Sequence, residues 1–172
     1  MSLSNLPLII MAEISQKPLT GYDLSKLILD KGWKASHQQI YRELAKLEAT
    51  NRFASCQHIP QVGKPDKKVY SLTPFGRAEL VKSYDAEPSC TRVQDEALAH
   101  LFLANTSYFA KLSGKIRQEL NELVDENTSP TMKLDVVAQL ARARRIGQLE
   151  AEAEWVDSVL KSLTIKGIVK AA

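Results

Sequence analysis

The chain has 172 residues, of which 23 are basic and 20 acidic, giving a net charge of +3, and 44% are hydrophobic. That length suits one or two small domains with a packed core. The two cysteines, Cys56 and Cys90, form no CxxC and no Cys/His cluster with metal-ligand spacing, which argues against a zinc site and points to unpaired thiols in a reducing compartment.

Leu6 to Ile14 reads as a short apolar helix buried on most sides. This N-terminal stretch has no basic flank and no small-residue cleavage site, and it is too short to span a bilayer, so a cytoplasmic protein without membrane contact is expected. A second helix follows. Thr20 caps it, Asp23 sits near the positive end of its dipole, and Leu24, Leu27 and Ile28 form a one-sided apolar stripe that Gly32 ends. The third helix lies in "KASHQQIYRELAKLEATNRF" and is expected to run to about Thr50. Ser36 and Gln39 fit a capping box at its start, and Asn51 is placed to take the left-handed conformation at its end. Ile40, Leu44 and Leu47 face inward, while Gln38, Gln39, Arg42 and Lys46 share the opposite arc.

"FASCQHI" and "KKVYSL" read as two short strands around the proline- and glycine-bearing loop "PQVGKPDK", a hairpin with a basic tip. Thr73 and Pro74 then open a fourth helix, cap followed by proline at its first position. "DAEPSCT" marks a boundary that divides the chain into domains at 1–87 and 88–172. Beyond it one helix is expected through Leu98, Leu101, Asn105, Tyr108, Leu112, Ile116, Leu120 and Leu123. After a break at "NTSPT" a second follows through Leu134, Val137, Leu140 or Ala141, Leu149, Val156, Leu160 and Leu163. Such an antiparallel pair has narrow apolar seams and few neighbours of its own, so it is expected to pair with a second copy through Leu98, Leu101, Leu112, Leu140, Val156 and Leu160.

The fold class that emerges is mainly α: a winged helix-turn-helix domain, then an antiparallel two-helix dimerisation domain. Charge follows the same division. Up to Asp85 there are 12 basic and 8 acidic residues, and from Ala86 onward 11 and 12, so the excess of +4 lies in the first part and −1 in the second. A basic winged helix suits double-stranded DNA. Glutamine can pair bidentately with adenine and arginine with guanine, and the wing lysines Lys64, Lys67 and Lys68 can reach phosphates. The DNA-facing set is therefore Lys34, Ser36, Gln38, Gln39, Tyr41, Arg42, Lys46, Lys64, Lys67 and Lys68. Gln39 has two competing uses, the capping box and base contact. Tyr41 lies where it can close the edge of the core or offer its hydroxyl to a phosphate. His37, near the Ile40 side, reads as a packed or capping residue, and Trp33 and Trp155 as packing residues.

Enzymatic signatures are lacking: no G-x-S-x-G, H-E-x-x-H or G-x-x-x-x-G-K-[ST] occurs, and the three histidines are scattered. No enzyme activity, metal or cofactor is expected.

"GYDLSK", "IYRELAKLEATNRF" and "GKPDKKVYSLTPFGRAEL" together resemble the N-terminal domain of PadR-type transcriptional regulators, and "WKASHQQIYREL" with "GKPDKKVYSLT" resembles its AphA-like branch, which regulates virulence genes under quorum-sensing control. Gly21, Tyr22 and Leu24 carry the first motif, Tyr41, Leu44 and Leu47 the second, and Tyr70, Leu72, Thr73 and Gly76 the third. Asn51 stands where the family usually has glycine. The resemblance implies a homodimeric regulator on a near-palindromic operator, with Tyr41 and the wing lysines touching DNA. A ligand-released repressor, sensing a small aromatic compound between the C-terminal helices near Trp155, is the nearest alternative. A winged helix that binds protein instead of DNA is the alternative from another class. A second transcription factor or RNA polymerase remains open as a further partner.

Overall fold

A computed structural model of the chain describes residues 3–165 apart from 51, 61–62, 64–65, 89, 91–93 and 128–134. The chain forms two compact units, Met1–Ser89 and Cys90–Ala172.

In the first unit, helix α1 (Asn5–Gln16) buries Pro7, Ile10, Met11 and Ile14 along one side. Strand β1 (Leu19–Thr20) leads directly into helix α2 (Gly21–Asp30), and the Thr20 hydroxyl accepts from the Asp23 N–H at 3.1 Å as its cap. The Thr20 hydroxyl also donates to the Asp23 carboxylate at 2.7 Å, so the two side chains lock each other. Gly32 adopts φ 85°, and two bonds close the helix around it: Gly32 N–H to the Leu29 carbonyl at 2.9 Å and Trp33 N–H to the Ile28 carbonyl at 3.0 Å. This is a Schellman ending, which needs a left-handed residue at that point and so favours glycine. Lys31 reaches back to Glu13 at 2.8 Å, tying α2 to α1 through a half-buried ion pair.

Helix α3 (His37–Ala45) begins with the capping box read from the sequence. The Ser36 hydroxyl accepts from Gln39 N–H at 3.2 Å, and Gln39 Oε1 accepts from Ser36 N–H at 2.8 Å. Its end differs from the expectation of a uniform helix to Thr50: the last stretch, Lys46–Thr50, is a π-helical turn. The closing bond, Phe53 N–H to the Leu47 carbonyl at 2.7 Å, spans one residue more than a Schellman closure, as a widened last turn requires. Arg52 takes the left-handed conformation with φ 53°, while Asn51, expected in that role, lies outside the described residues.

Strands β2 (Ala54–Ile59) and β3 (Lys67–Leu72) form the hairpin, with Cys56 opposite Tyr70 and His58 opposite Lys68. The sheet has a third strand that the sequence reading missed. β1 pairs antiparallel with β3, Leu19 opposite Tyr70, so the order is β1-β3-β2. Two residues are too few to show a period, and their partner lies far along the chain. Helix α4 (Pro74–Lys82) is capped by Thr73, whose hydroxyl accepts from Gly76 N–H at 3.0 Å and donates to the Arg52 carbonyl at 2.8 Å. A Cβ on Gly76 would collide with the Phe53 carbonyl oxygen, so glycine is needed there for backbone to meet backbone. A 3-10 turn, Ser83–Asp85, ends the helix. The core gathers Ile10, Met11, Leu24, Ile28, Ile40, Leu44 and Leu47, each 1% exposed or less. Each such buried aliphatic side chain contributes on the order of 1.5–3 kcal/mol.

Among its described residues the second unit has three helices where the sequence suggested two: α5 (Glu96–Phe102), α6 (Thr106–Asn127) and α7 (Val136–Ile165). Ala104 turns left-handed with φ 49°, and Asn105, read from the sequence as a seam position, is the cap of α6, accepting from Tyr108 N–H at 3.0 Å. The three-and-four spacing of apolar residues continues straight across this break and conceals it. Contacts of Arg117 with Asp157, Glu119 with Arg145, and Leu123 with Arg142 run in opposite sequence directions, so α6 and α7 are antiparallel. Phe109, Ile116, Leu149 and Val156 fill the seam between them. Leu134 and most of the "NTSPT" break lie outside the described residues.

Candidate nucleic-acid interface

Helix α3 is anchored by Ile40 and Leu44, both fully buried, and Leu47 continues the anchor into the π turn. That anchoring leaves Gln38, Tyr41, Arg42 and Lys46 exposed on the outer side, and Lys34 and Ser36 exposed just before the helix. Gln39 is also exposed, but its side-chain oxygen is committed to the Ser36 N–H. Bidentate pairing with adenine needs that oxygen together with the amide nitrogen, so the cap removes half of the recognition pair.

Glu43, between the two cations in sequence, holds both. Its carboxylate lies 2.9 Å from Lys46 Nζ and 3.7 Å from Arg42 Nε. The sequence reading overlooked this residue because a lone acid among bases gives no pattern. His37 stacks its ring on Tyr22, 6.4 Å between centroids and 14° between planes, so its partner is α2 and not the Ile40 side.

A cleft of about 480 Å³ opens where the start of α2, the middle of α3 and strand β3 converge, lined by Thr20, Gly21, Tyr22, Asp23, Tyr41, Asp66, Lys67 and Lys68. It brings together Tyr41, Lys67 and Lys68 from the sequence set, and it adds Tyr22 and the two acids Asp23 and Asp66. Asp23 bonds with the Thr20 hydroxyl and is occupied locally. Lys64 lies outside the described residues. Burial, then the neighbouring Cys56, pushes Tyr70 up to about 12, and burial also raises the Cys56 thiol, so both stay neutral near pH 7.

In the second unit the expected dimer residues divide. Leu140 is 65% exposed and Leu98 borders on exposed, whereas Leu101, Leu112 and Leu160 pack half-buried against their own unit. Val156 is fully enclosed within one chain, so it holds α6 and α7 together and has no surface to give a partner. Phe102, Leu103 and Val136 are exposed and were missed, because they fall off the inward period, and Val137, read from the sequence as part of the apolar run, is exposed as well. Trp155 meets Phe109 edge-on at 5.8 Å, which accounts for it as a packing residue. Among the described residues no group of His, Cys, Asp or Glu could hold a metal ion, and no helix is long and apolar enough to cross a membrane.

Three helices with a three-stranded wing, the third helix capped and displaying its polar face, make this a winged helix-turn-helix protein. Residues 10–82 match the model of the Transcriptional regulator PadR-like family.

The chain is 38% identical over 86 residues to "Probable transcriptional regulator Rv1176c" of Mycobacterium tuberculosis, covering 48% of this chain and 44% of that protein. It is 36% identical over 74 residues to "Negative transcriptional regulator PadR" of Bacillus subtilis, covering 41% and 40%. The chain thus matches less than half the length of these curated relatives. Two solved structures extend the likeness to both units. The Vibrio cholerae virulence activator AphA shares 27% identity at a TM-score of 0.76, covering 94% of this chain and 99% of that one. Bacillus subtilis PadR in complex with operator DNA shares 23% at 0.74, covering 92% and 98%, a likeness of fold.

Proposed function

We propose that this chain is a sequence-specific DNA-binding transcription regulator that acts as a homodimer on a near-palindromic operator. One observation carries the reading: the capped helix α3 presents Gln38, Tyr41, Arg42 and Lys46 on the face opposite its buried anchor, beside Lys67 and Lys68 of the wing. In this role Gln38 and Arg42 read base edges, and Lys34, Ser36, Tyr41, Lys46 and the wing lysines hold phosphates. Residues 1–87 form the DNA-binding domain and residues 88–172 the dimerisation domain. The exposed apolar side chains Phe102 and Leu103 at the end of α5, and Val136, Val137 and Leu140 at the start of α7, support a partner copy there, since large apolar side chains are costly to leave in water. The operator-bound PadR of Bacillus subtilis supports the DNA reading by fold.

Sequencing the genomic fragments that the purified protein retains tests the proposal. The expected result is a shared near-palindrome, with affinity that falls steeply as salt rises because neutralised phosphates release counterions. Lys67→Ala and Lys68→Ala should weaken operator and random duplexes alike and lower the salt slope by about one per lysine. Retention of no defined sequence, or affinity indifferent to salt, overturns it in favour of a winged helix that binds protein.

A further inference from the structure

The glycine at the start of α2 poses a specific question. Gly21 is the first residue of that helix and is buried. Its φ is not positive, unlike those of Gly32 and Gly63, so no backbone conformation demands glycine at this point. The demand comes from a side chain. A Cβ built on Gly21 lies 2.7 Å from Tyr41 Cζ and 3.0 Å from the Tyr41 hydroxyl oxygen, and nearer still to Cε1. Real side chains do not approach so closely, so the missing methyl is the space in which the Tyr41 ring rests. Gly114 and Gly147 have nothing within 4 Å of such a Cβ, and Gly76 meets the backbone of Phe53. Gly21 instead meets a ring on the outward face of the third helix.

Tyr41 is 45% exposed, so packing on its outer side does not hold it. Tyr41 lines the same cleft as Lys67 and Lys68 of β3. A long side chain free to swing would sample several rotamers, and ordering it on binding would cost affinity. A ring seated against backbone has that order beforehand.

We propose that Gly21 is a positioning residue: it seats the Tyr41 ring so that the hydroxyl and the two wing lysines face one cleft as a preformed grip for a DNA phosphate. The inference rests on the DNA-binding reading above and deepens it. Gly21 touches no DNA in this account and acts through Tyr41.

The test uses the full chain and a random-sequence duplex, since a phosphate contact does not depend on operator sequence. Nuclear Overhauser contacts between the Tyr41 ring protons and the Gly21 α-protons are measured first, in the parent without DNA. Their presence is expected, and their absence sinks the seat whatever the variants do. Affinity is then measured for Gly21→Ala, Tyr41→Phe, Tyr41→Ala and the Gly21→Ala/Tyr41→Ala pair. Gly21→Ala and Tyr41→Phe should each lose about tenfold, the scale of one hydrogen bond to a charged group. Gly21→Ala should add nothing in the Tyr41→Ala background, because the two act as one unit. If Gly21→Ala binds like the parent, or if its loss persists undiminished without Tyr41, the positioning role is wrong. If Gly21→Ala does not fold, Tyr41→Phe decides, and parent-like affinity for it overturns the grip. A parent that shows the Overhauser contacts but binds no duplex leaves the seat standing and removes the DNA reading.

Discussion

The Glu43 carboxylate lies 2.9 Å from Lys46 Nζ, so one of the cations on the outer face of α3 is already paired before any DNA arrives. Lys46 keeps more than half of its side chain exposed while Glu43 is largely covered. Such a pair contributes little to stability, roughly 0–1 kcal/mol, but it fixes where a positive charge sits. Arg42 is the more loosely held of the two at 3.7 Å.

Replacing Glu43 by glutamine should release both cations without altering the shape of the helix. Random-duplex affinity is expected to rise and its salt dependence to steepen, while the melting temperature moves little. Titrations at two salt concentrations check this, and unchanged affinity would mean that the pair does not face DNA.

Three glutamine and arginine variants separate reading from capping. Gln38→Ala and Arg42→Ala should each cost about 1–3 kcal/mol on the operator and little on random DNA. Gln39→Ala should lower thermal stability by roughly 1 kcal/mol, because its side-chain oxygen closes the capping box with Ser36. Melting curves and operator titrations on all three distinguish the roles.

The second unit separates association from folding in the same way. Leu140→Asp, at an exposed position, should give a monomer at concentrations where the parent is a dimer, with helix content kept. Phe109→Ala should instead destabilise the unit by about 3–5 kcal/mol, because Phe109 is fully enclosed. Sedimentation and circular dichroism read the two outcomes, and a dimer that survives Leu140→Asp places the interface elsewhere.

A fourth expectation concerns pH. Burial, then the nearby Asp95, holds the Glu152 carboxyl above its ordinary value of 4.5. A raised carboxyl binds its proton more tightly in the folded chain than in the unfolded one. The contribution of this group to stability is therefore fully present below that ordinary value and is lost as pH rises through the window above it. Glu152→Gln removes that loss. Its melting temperature should exceed the parent's at pH 7, and the difference should vanish below about pH 4.5, where the glutamate is protonated in both states.

Features that are settled within a few residues are legible along the chain. Thr20, Ser36 and Thr73 announce helix starts because a cap joins groups three residues apart, and Gly32 announces an end because one backbone angle must turn left-handed. The inward stripe of α3 is legible for the same reason: the helical period places Ile40 and Leu44 together without reference to anything distant. Tertiary structure decided the rest. Leu19 and Thr20 become a strand because β3 offers them hydrogen bonds from fifty residues away. The run from Leu98 to Leu123 breaks at Ala104 although its apolar spacing does not, since a period records which face is apolar and not whether the backbone continues. That same period could not tell that Val156 turns into its own unit while Leu140 faces out. Nor could it show Gly21 lying beneath Tyr41 or Glu43 holding Lys46. Each of these depends on which surfaces meet once the chain has folded, and burial is a property of that meeting and not of spacing along the chain.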